Sequence, residues 1–359
     1  MNLRHGAEKA FLLAALRRFV TGEQGPPLSL DGLRRSWLQQ VIERGRIGHV
    51  LHEVLPAGAA PEAWRRRWGE RRQAVFVRNS RSLSAAVKAL AVLEEAGAAA
   101  AVCRGAALCA TVYPDWSLRL MDDVDALVSP GGWERGMKAL ERAFGPPCRR
   151  LRSQNVWDIE GAHFEFHWRY LTTRRLRGRV DTDFLLEDRR PAETPFGRLV
   201  CLETTRELAA VVVHLLAHHG LGHYAQLMDI AMLAQRPDVD WELLAKWSRA
   251  RGLDRMILFA VGFAGEVFQI PLEEKLAVFG PPLSRFWRRS YQGHMASLFR
   301  DRRLTDMYQA KASVMFMSGR TLDQVRQAMR LVSFEALAEA LRCAGLLAPT
   351  RPGSEEADQ

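Results

Sequence analysis

Arg119-Leu-Met-Asp-Asp-Val-Asp-Ala-Leu-Val128 is the stretch on which the reading of this chain turns. From Asp123 to Val128 polar and apolar residues alternate, the pattern of a strand with one packed face. Residues two apart on a strand point the same way, so Asp123 and Asp125 direct both carboxylates at one locus, while Val124, Ala126 and Val128 face a core. Hard oxygen ligands on one face and packing on the other are what a divalent-cation site requires. Asp122 has the opposite parity and is expected to be a solvated turn residue.

Working outward, a short apolar run, Ala98 to Cys103, stops at Arg104-Gly105 and is followed by a brief helix, Ala106 to Val112. A strand that ends in a basic residue and Gly, then opens a helix, is a place where backbone N–H groups can meet phosphate. Arg104, Gly105 and Ala106 are therefore expected to bind nucleotide. Downstream, Pro130 to Phe144 reads as an amphipathic helix carrying Trp133, Met137, Leu140 and Phe144. A polar alternating stretch then leads to His163-Phe-Glu-Phe-His-Trp168. In this strand His163, Glu165 and His167 share one face and the aromatics share the other. An acid among aromatics is costly unless a charge compensates it, which makes Glu165 the candidate third carboxylate. The order strand, helix, strand, helix, strand, strand predicts a small mixed β-sheet covered by helices.

Helical periodicity dominates on both sides. Glu8 to about Gly97 reads as three helical segments, and Glu203 onward as a further series through Glu203–His219, His223–Ala234 and Trp241–Arg251 to about Leu347. The expected fold is α+β and predominantly helical. It comprises an N-terminal helical region (1–97), a sheet-bearing core (98–200), a C-terminal helical domain (201–347) and a disordered tail (348–359). Between Arg169 and Val200 the sequence reads as a polar, Arg-rich loop. Arg65–Arg67 and Arg71–Arg72 read as a solvated helix face.

The chain has 359 residues, 48% of them hydrophobic and 26% charged, enough for a large buried core. No apolar run approaches the ~18 residues of a membrane span. No signal peptide is expected, and five cysteines without a Cys-x-x-Cys pair fit a reducing cytoplasm. A net charge of +10 favours phosphate-bearing ligands, yet only 6 of the 51 basic residues are Lys. No basic stripe interleaved with aromatics indicates a nucleic-acid partner.

The ordering Arg104-Gly105, Tyr113-Pro114, Arg119, then Asp-x-Asp followed by Leu-Val resembles the uncharacterised nucleotidyltransferase family of bacteria, a branch of the polymerase-beta-like superfamily. Glu165-Phe-His167-Trp168 is similar to that family's Glu-x-His-Trp strand. His214-Leu-Leu-Ala-His218 through Leu227-Met-Asp229-Ile, with Trp241 beyond, is similar to its helical His and Asp segment. The resemblance spans about residues 85 to 265. Gly105-Ala106 stands where the superfamily has Gly-Ser or Gly-Gly, with Asp123 a further 18 positions on. Arg104 stands where the branch commonly carries Lys, a fork in place of a point charge.

The resemblance implies that Asp123 and Asp125 hold two Mg²⁺ (or Mn²⁺) ions and that Glu165 completes the site. It implies transfer of NMP from a nucleoside triphosphate to an acceptor hydroxyl, with pyrophosphate leaving. That acceptor would be a sugar, a peptide natural product or another small molecule, as in biosynthetic tailoring, or a protein or tRNA as in toxin-like relatives. Arg119 would contact phosphate, or form an ion pair with Asp115 or Asp122. His167, His218 and Asp229 would contact substrate; the cluster His214, His218, His219 and His223 otherwise serves helix packing, and Asp229 otherwise needs a nearby Arg or His. Two other functions compete: a nucleotide- or partner-binding module without turnover, and a zinc hydrolase built on His214 and His218, one helical turn apart.

Overall fold

In the computed structural model, the described residues are 5–171, 176, 178–219, 221, 223–281, 294–295 and 298–299. The expected helical stretch beyond Phe299 and the expected disordered tail lie outside them. The N-terminal quarter forms four helices: α1 (Gly6–Thr21), α2 (Arg35–Gly45), α3 (Gly48–Val54) and α4 (Glu62–Glu95). The sequence pattern predicted three helices. The middle one divides at Arg46, which takes a left-handed conformation (φ 54°) and ends α2.

The central region runs β1 (Ala100–Cys103), α5 (Gly105–Thr111), β2 (Val124–Val128), α6 (Trp133–Phe144), β3 (Arg149–Arg150), β4 (Gln154–Ile159) and β5 (Ala162–His167). It continues through α7 (Thr182–Leu186), β6 (Arg190–Thr194) and β7 (Gly197–Cys201). The strands form one sheet in the order β3-β4-β5-β2-β1-β7-β6, with β2/β5 and β1/β7 parallel and the other pairs antiparallel. The β6–β7 hairpin corrects the reading of 169–200 as a loop. Its outer strand carries Arg190 and Pro191 with no buried position, a composition an edge strand tolerates and a periodicity count misses.

Strand parity sorts the core. Val102, Val124, Ala126, Val128, Phe164 and Phe166 pack in one apolar cluster with Leu83, Leu90 and Leu93 of α4 and Met137 and Leu140 of α6. Ala101, Cys103 and Leu127 point the other way, into a second cluster. That second cluster is built by α1, α2 and α3 from before the sheet and by the helices that follow it: α8 (Thr204–His214), α9 (Tyr224–Gln235), α10 (Trp241–Arg251) and α11 (Asp254–Phe268), with α12 (Glu273–Ala277) beyond. The N-terminal and C-terminal helices therefore share one core on the face that also carries Asp125.

Two of the helices after the sheet start where the sequence supplies caps. Glu203 accepts from Thr205 N–H (3.0 Å) and Arg206 N–H (3.3 Å) at the start of α8, and Asp240 accepts from Leu243 N–H (2.9 Å) at the start of α10. After His214 the chain continues through a π-helical turn, Leu215–His219. The α4 arginines are only partly a solvated face. Arg65 donates to the Leu55 carbonyl (3.0 Å), Arg72 to Ser117 Oγ (2.8 Å), and Arg67 pairs with Glu43 (2.5 Å). No helix among the described residues is long and apolar enough to cross a membrane.

Candidate active site

β2 and β5 lie side by side and parallel, in a register that sets Asp125 opposite Glu165 and Leu127 opposite His167. Neighbouring strands are about 4.8 Å apart, so side chains at matched positions on one face are in contact range. One ligand atom each from Asp125, Glu165 and His167 lies within 4.8 Å of the others. His167 Nε2 is 3.2 Å from Asp125 Oδ1 and 3.4 Å from Glu165 Oε2, and Gln154 Nε2 on β4 donates to Glu165 Oε2 (3.3 Å). Among the described residues this is the one such group of three His, Cys, Asp or Glu ligands.

Asp125 is 4% exposed, and a carboxylate so far from water needs a compensating charge. The Arg104 guanidinium supplies it through a direct ion pair. The hydrogen bond from His167 is the chief reason the Glu165 carboxyl stays below its ordinary pKa, against the upward push of its partial burial; Arg104 adds to the lowering. Burial pushes the His167 imidazole down, which favours the neutral ring that can offer a lone pair to a cation.

The cluster floors a cleft of about 820 Å³. Its lining includes Arg104, Asp123, Asp125, Gln154 and Glu165 from the sheet side, together with Arg46 of the α2–α3 turn, His49 of α3, and Tyr224 and Gln226 at the start of α9. Volumes of several hundred Å³ are typical of small-molecule and cofactor sites.

Asp123 lines this cleft, half-buried one residue before β2 begins, but is not in the converging group; His167 holds the third place instead. Asp122 is exposed but not merely solvated. Arg46 grips it bidentately (2.7 and 2.9 Å), Arg78 adds a third bond (3.0 Å), and the Arg46 bond chiefly holds its carboxyl below the ordinary pKa. Arg119 forms an ion pair, with a different partner from either acid considered above. Its Nε and Nη2 meet Asp229 Oδ1 and Oδ2 at 2.8 Å each, and Tyr113 Oη donates to Asp229 Oδ1 (2.7 Å). Asp229 lines the cleft, yet it is 1% exposed and its carboxylate is engaged by this pair.

Gly105 opens α5 on the cleft, where an added Cβ would come within 3.0 Å of Met121 Cγ. Ala106 turns its side chain into the α4-side core, leaving only backbone for a ligand. His214 and His218 stack obliquely with ring centroids 4.8 Å apart; His218 is exposed and His214 lies against Arg104. They do not belong to the three-ligand group.

Sequence reasoning missed Gln154 and Glu207. Glu207 is 2% exposed on α8 and accepts the N–H of Arg104 (2.5 Å). The signal was an acid heading the apolar run Leu208-Ala-Ala-Val-Val-Val213. Burial drives its carboxyl pKa up to about 8, although the Arg104 N–H and charge pull it down. A folded pKa above the reference 4.5 means that the folded chain keeps a proton the unfolded chain releases. This contribution to stability is complete below about pH 4.5 and is lost as pH rises toward 8. Glu207→Gln should flatten that decline, by up to about 1.4 kcal/mol per pH unit. Denaturant midpoints across pH 5 to 8 check it, and parallel curves for the two proteins contradict it.

A family model described as "Uncharacterised nucleotidyltransferase" matches residues 32–269, well over half of the chain. The match takes in α2, α3 and all of α4, most of which the motifs alone left without a counterpart. No curated protein and no solved structure matches.

Proposed function

The chain belongs to the uncharacterised nucleotidyltransferase family, and from that premise we propose that it transfers NMP from a nucleoside triphosphate to a hydroxyl of a small-molecule acceptor, such as a sugar or a peptide natural product. The observation that carries this reading is the in-register meeting of Asp125 and Glu165 on parallel neighbouring strands, with His167 and Arg104 beside them at the floor of one cleft.

Asp125, Glu165 and His167 would hold a divalent cation, and Asp123 is the further carboxylate that a second ion needs. Two carboxylates and a neutral imidazole fit this role: the oxygens suit Mg²⁺, and the nitrogen makes Mn²⁺ at least as good a fit. When bound, such a cation lowers the pKa of a hydroxyl and offsets phosphate charge.

The protein's own groups do the rest. Arg104 brings a guanidinium next to the carboxylates, where phosphate oxygens would otherwise meet only negative charge. Gln154 keeps Glu165 oriented. Glu165, the least buried of the three ligands, would take the acceptor's proton as its oxygen bonds to the α-phosphorus. The bond from that phosphorus to the bridging oxygen breaks in the same displacement, and pyrophosphate leaves.

The test is incubation with labelled NTPs, Mg²⁺ or Mn²⁺ and panels of sugar and peptide hydroxyls. Pyrophosphate release that depends on both metal and acceptor is the expected result. Nucleotide binding without release would instead indicate a binding module. Glu165→Gln should still bind NTP but lose transfer by roughly 10²-fold or more, the scale of losing one positioned acid–base group. Normal turnover in that variant would remove Glu165 from the mechanism.

A further inference from the structure

The residue that brings positive charge to the carboxylates is held on one side by a stripe of one helix. Arg104 N–H donates to Glu207 Oε1 (2.5 Å), and Arg104 Nη1 lies 2.7 Å from the His214 ring nitrogens. The Tyr170 ring faces the guanidinium, 6.0 Å from its centroid, and Tyr170 Oη donates to the Ala210 carbonyl (2.7 Å). Positions 207, 210 and 214 are three and four residues apart, so they fall on one line along α8. On the sheet side the guanidinium forms an ion pair with Asp125.

The turn needs such a grip. Arg104 has φ 56° and ψ −126°, a region that residues bearing a Cβ seldom occupy. Glycine would adopt it freely but would carry no guanidinium. The bond from its N–H to Glu207 holds this peptide where an arginine left alone would relax. Glu207 Oε2 has no partner among the described residues, so Arg104 is the principal partner of an acid that is costly to bury.

We propose that the 207/210/214 stripe of α8 is the device that aims Arg104 at the polyphosphate of the nucleotide, with Glu207 as a positioning residue. The assignment of the anion rests on the nucleotidyl-transfer reading; the grip itself does not. It gives the helical region after the sheet a part in the site and gives His214 a role other than metal ligation.

The test is a double-mutant cycle on the full chain, with NTP varied at saturating Mn²⁺. Arg104→Gln and Glu207→Leu should each raise KM for NTP at least tenfold, and the double variant should be no worse than either alone, because both act through the same guanidinium, one by deleting it and the other by releasing its aim. Glu207→Gln keeps a carbonyl acceptor and should restore most of what Glu207→Leu loses. Hydrogen exchange at the Arg104 amide reads the grip without any activity: faster in Glu207→Leu, near wild type in Glu207→Gln. Additive effects in the double variant, an unchanged KM in folded Glu207→Leu, or Arg104 exchange that does not distinguish Leu from Gln would each overturn the proposal. If wild type neither binds nor turns over NTP, the function proposed above fails, and the exchange comparison still decides whether Glu207 positions Arg104.

Discussion

Asp125→Asn should reduce pyrophosphate release by roughly 10³-fold or more, above the cost of losing one preorganised electrostatic contact. The substitution keeps the shape of the side chain and removes the charge that faces Arg104, His167 and Glu165. The site would then offer a cation only one carboxylate from the converging group. Mn²⁺ binding, followed by the loss of the free-ion electron paramagnetic resonance signal, should weaken in parallel. Asp123→Asn is the instructive companion. Asp123 lines the cleft but stands outside the converging group, so its loss should cut turnover while leaving a measurable Mn²⁺ site. Unchanged turnover in Asp125→Asn, with the protein folded, would show that the chemistry lies elsewhere.

Asp229→Ala should cost about 3 to 5 kcal/mol of stability, because it strips a buried guanidinium of its partner. Arg119 and Asp229 meet through two bonds of 2.8 Å, and their side chains are 13% and 2% exposed. Burial alone would push the Arg119 pKa down; Asp229 leads the interactions, with Tyr113 and Cys109, that more than reverse this. Tyr113 Oη would lose its acceptor at the same time. At the few degrees per kcal/mol usual for chains of a few hundred residues, the melting temperature should fall by about 10 °C. Replacing both partners together, Arg119→Met with Asp229→Leu, should recover much of this, since an apolar pair often packs as well as a buried ion pair. A merely phosphate-binding Arg119 would behave otherwise: Asp229→Ala would leave the melting temperature nearly unchanged and raise KM for NTP. Because the pair joins the segment entering β2 to α9, a drop in activity should accompany the drop in stability.

Much of the site was legible from local pattern. Alternation from Asp123 to Val128 placed Val124, Ala126 and Val128 in the core opposite Asp125, as the two apolar clusters show. The same parity put Glu165 and His167 on one face of β5, with Phe164 and Phe166 on the other. Such inferences need only the two-residue repeat of a strand and the cost of burying charge. The β6–β7 hairpin escaped because an edge strand need not bury alternate residues. The division of the middle N-terminal helix at Arg46 escaped because a non-glycine residue in the left-handed region leaves no compositional mark.

The sequence by itself determined the family, the α+β class, and the two strands and facing acids of the candidate site, through residue order and short-range periodicity. Only the tertiary structure decided which acids converge. Register across β2 and β5 brought Asp125, Glu165 and His167 within 4.8 Å and left Asp123 at the edge of the group. Tertiary packing also chose Asp229, 110 positions away, as the partner of Arg119, and set Glu207 and His214 of α8 on Arg104. The physical reason is that an ionised group shut away from water takes its counter-charge from whatever element packs against it. That element is chosen by the whole core, not by the neighbouring residues in the chain.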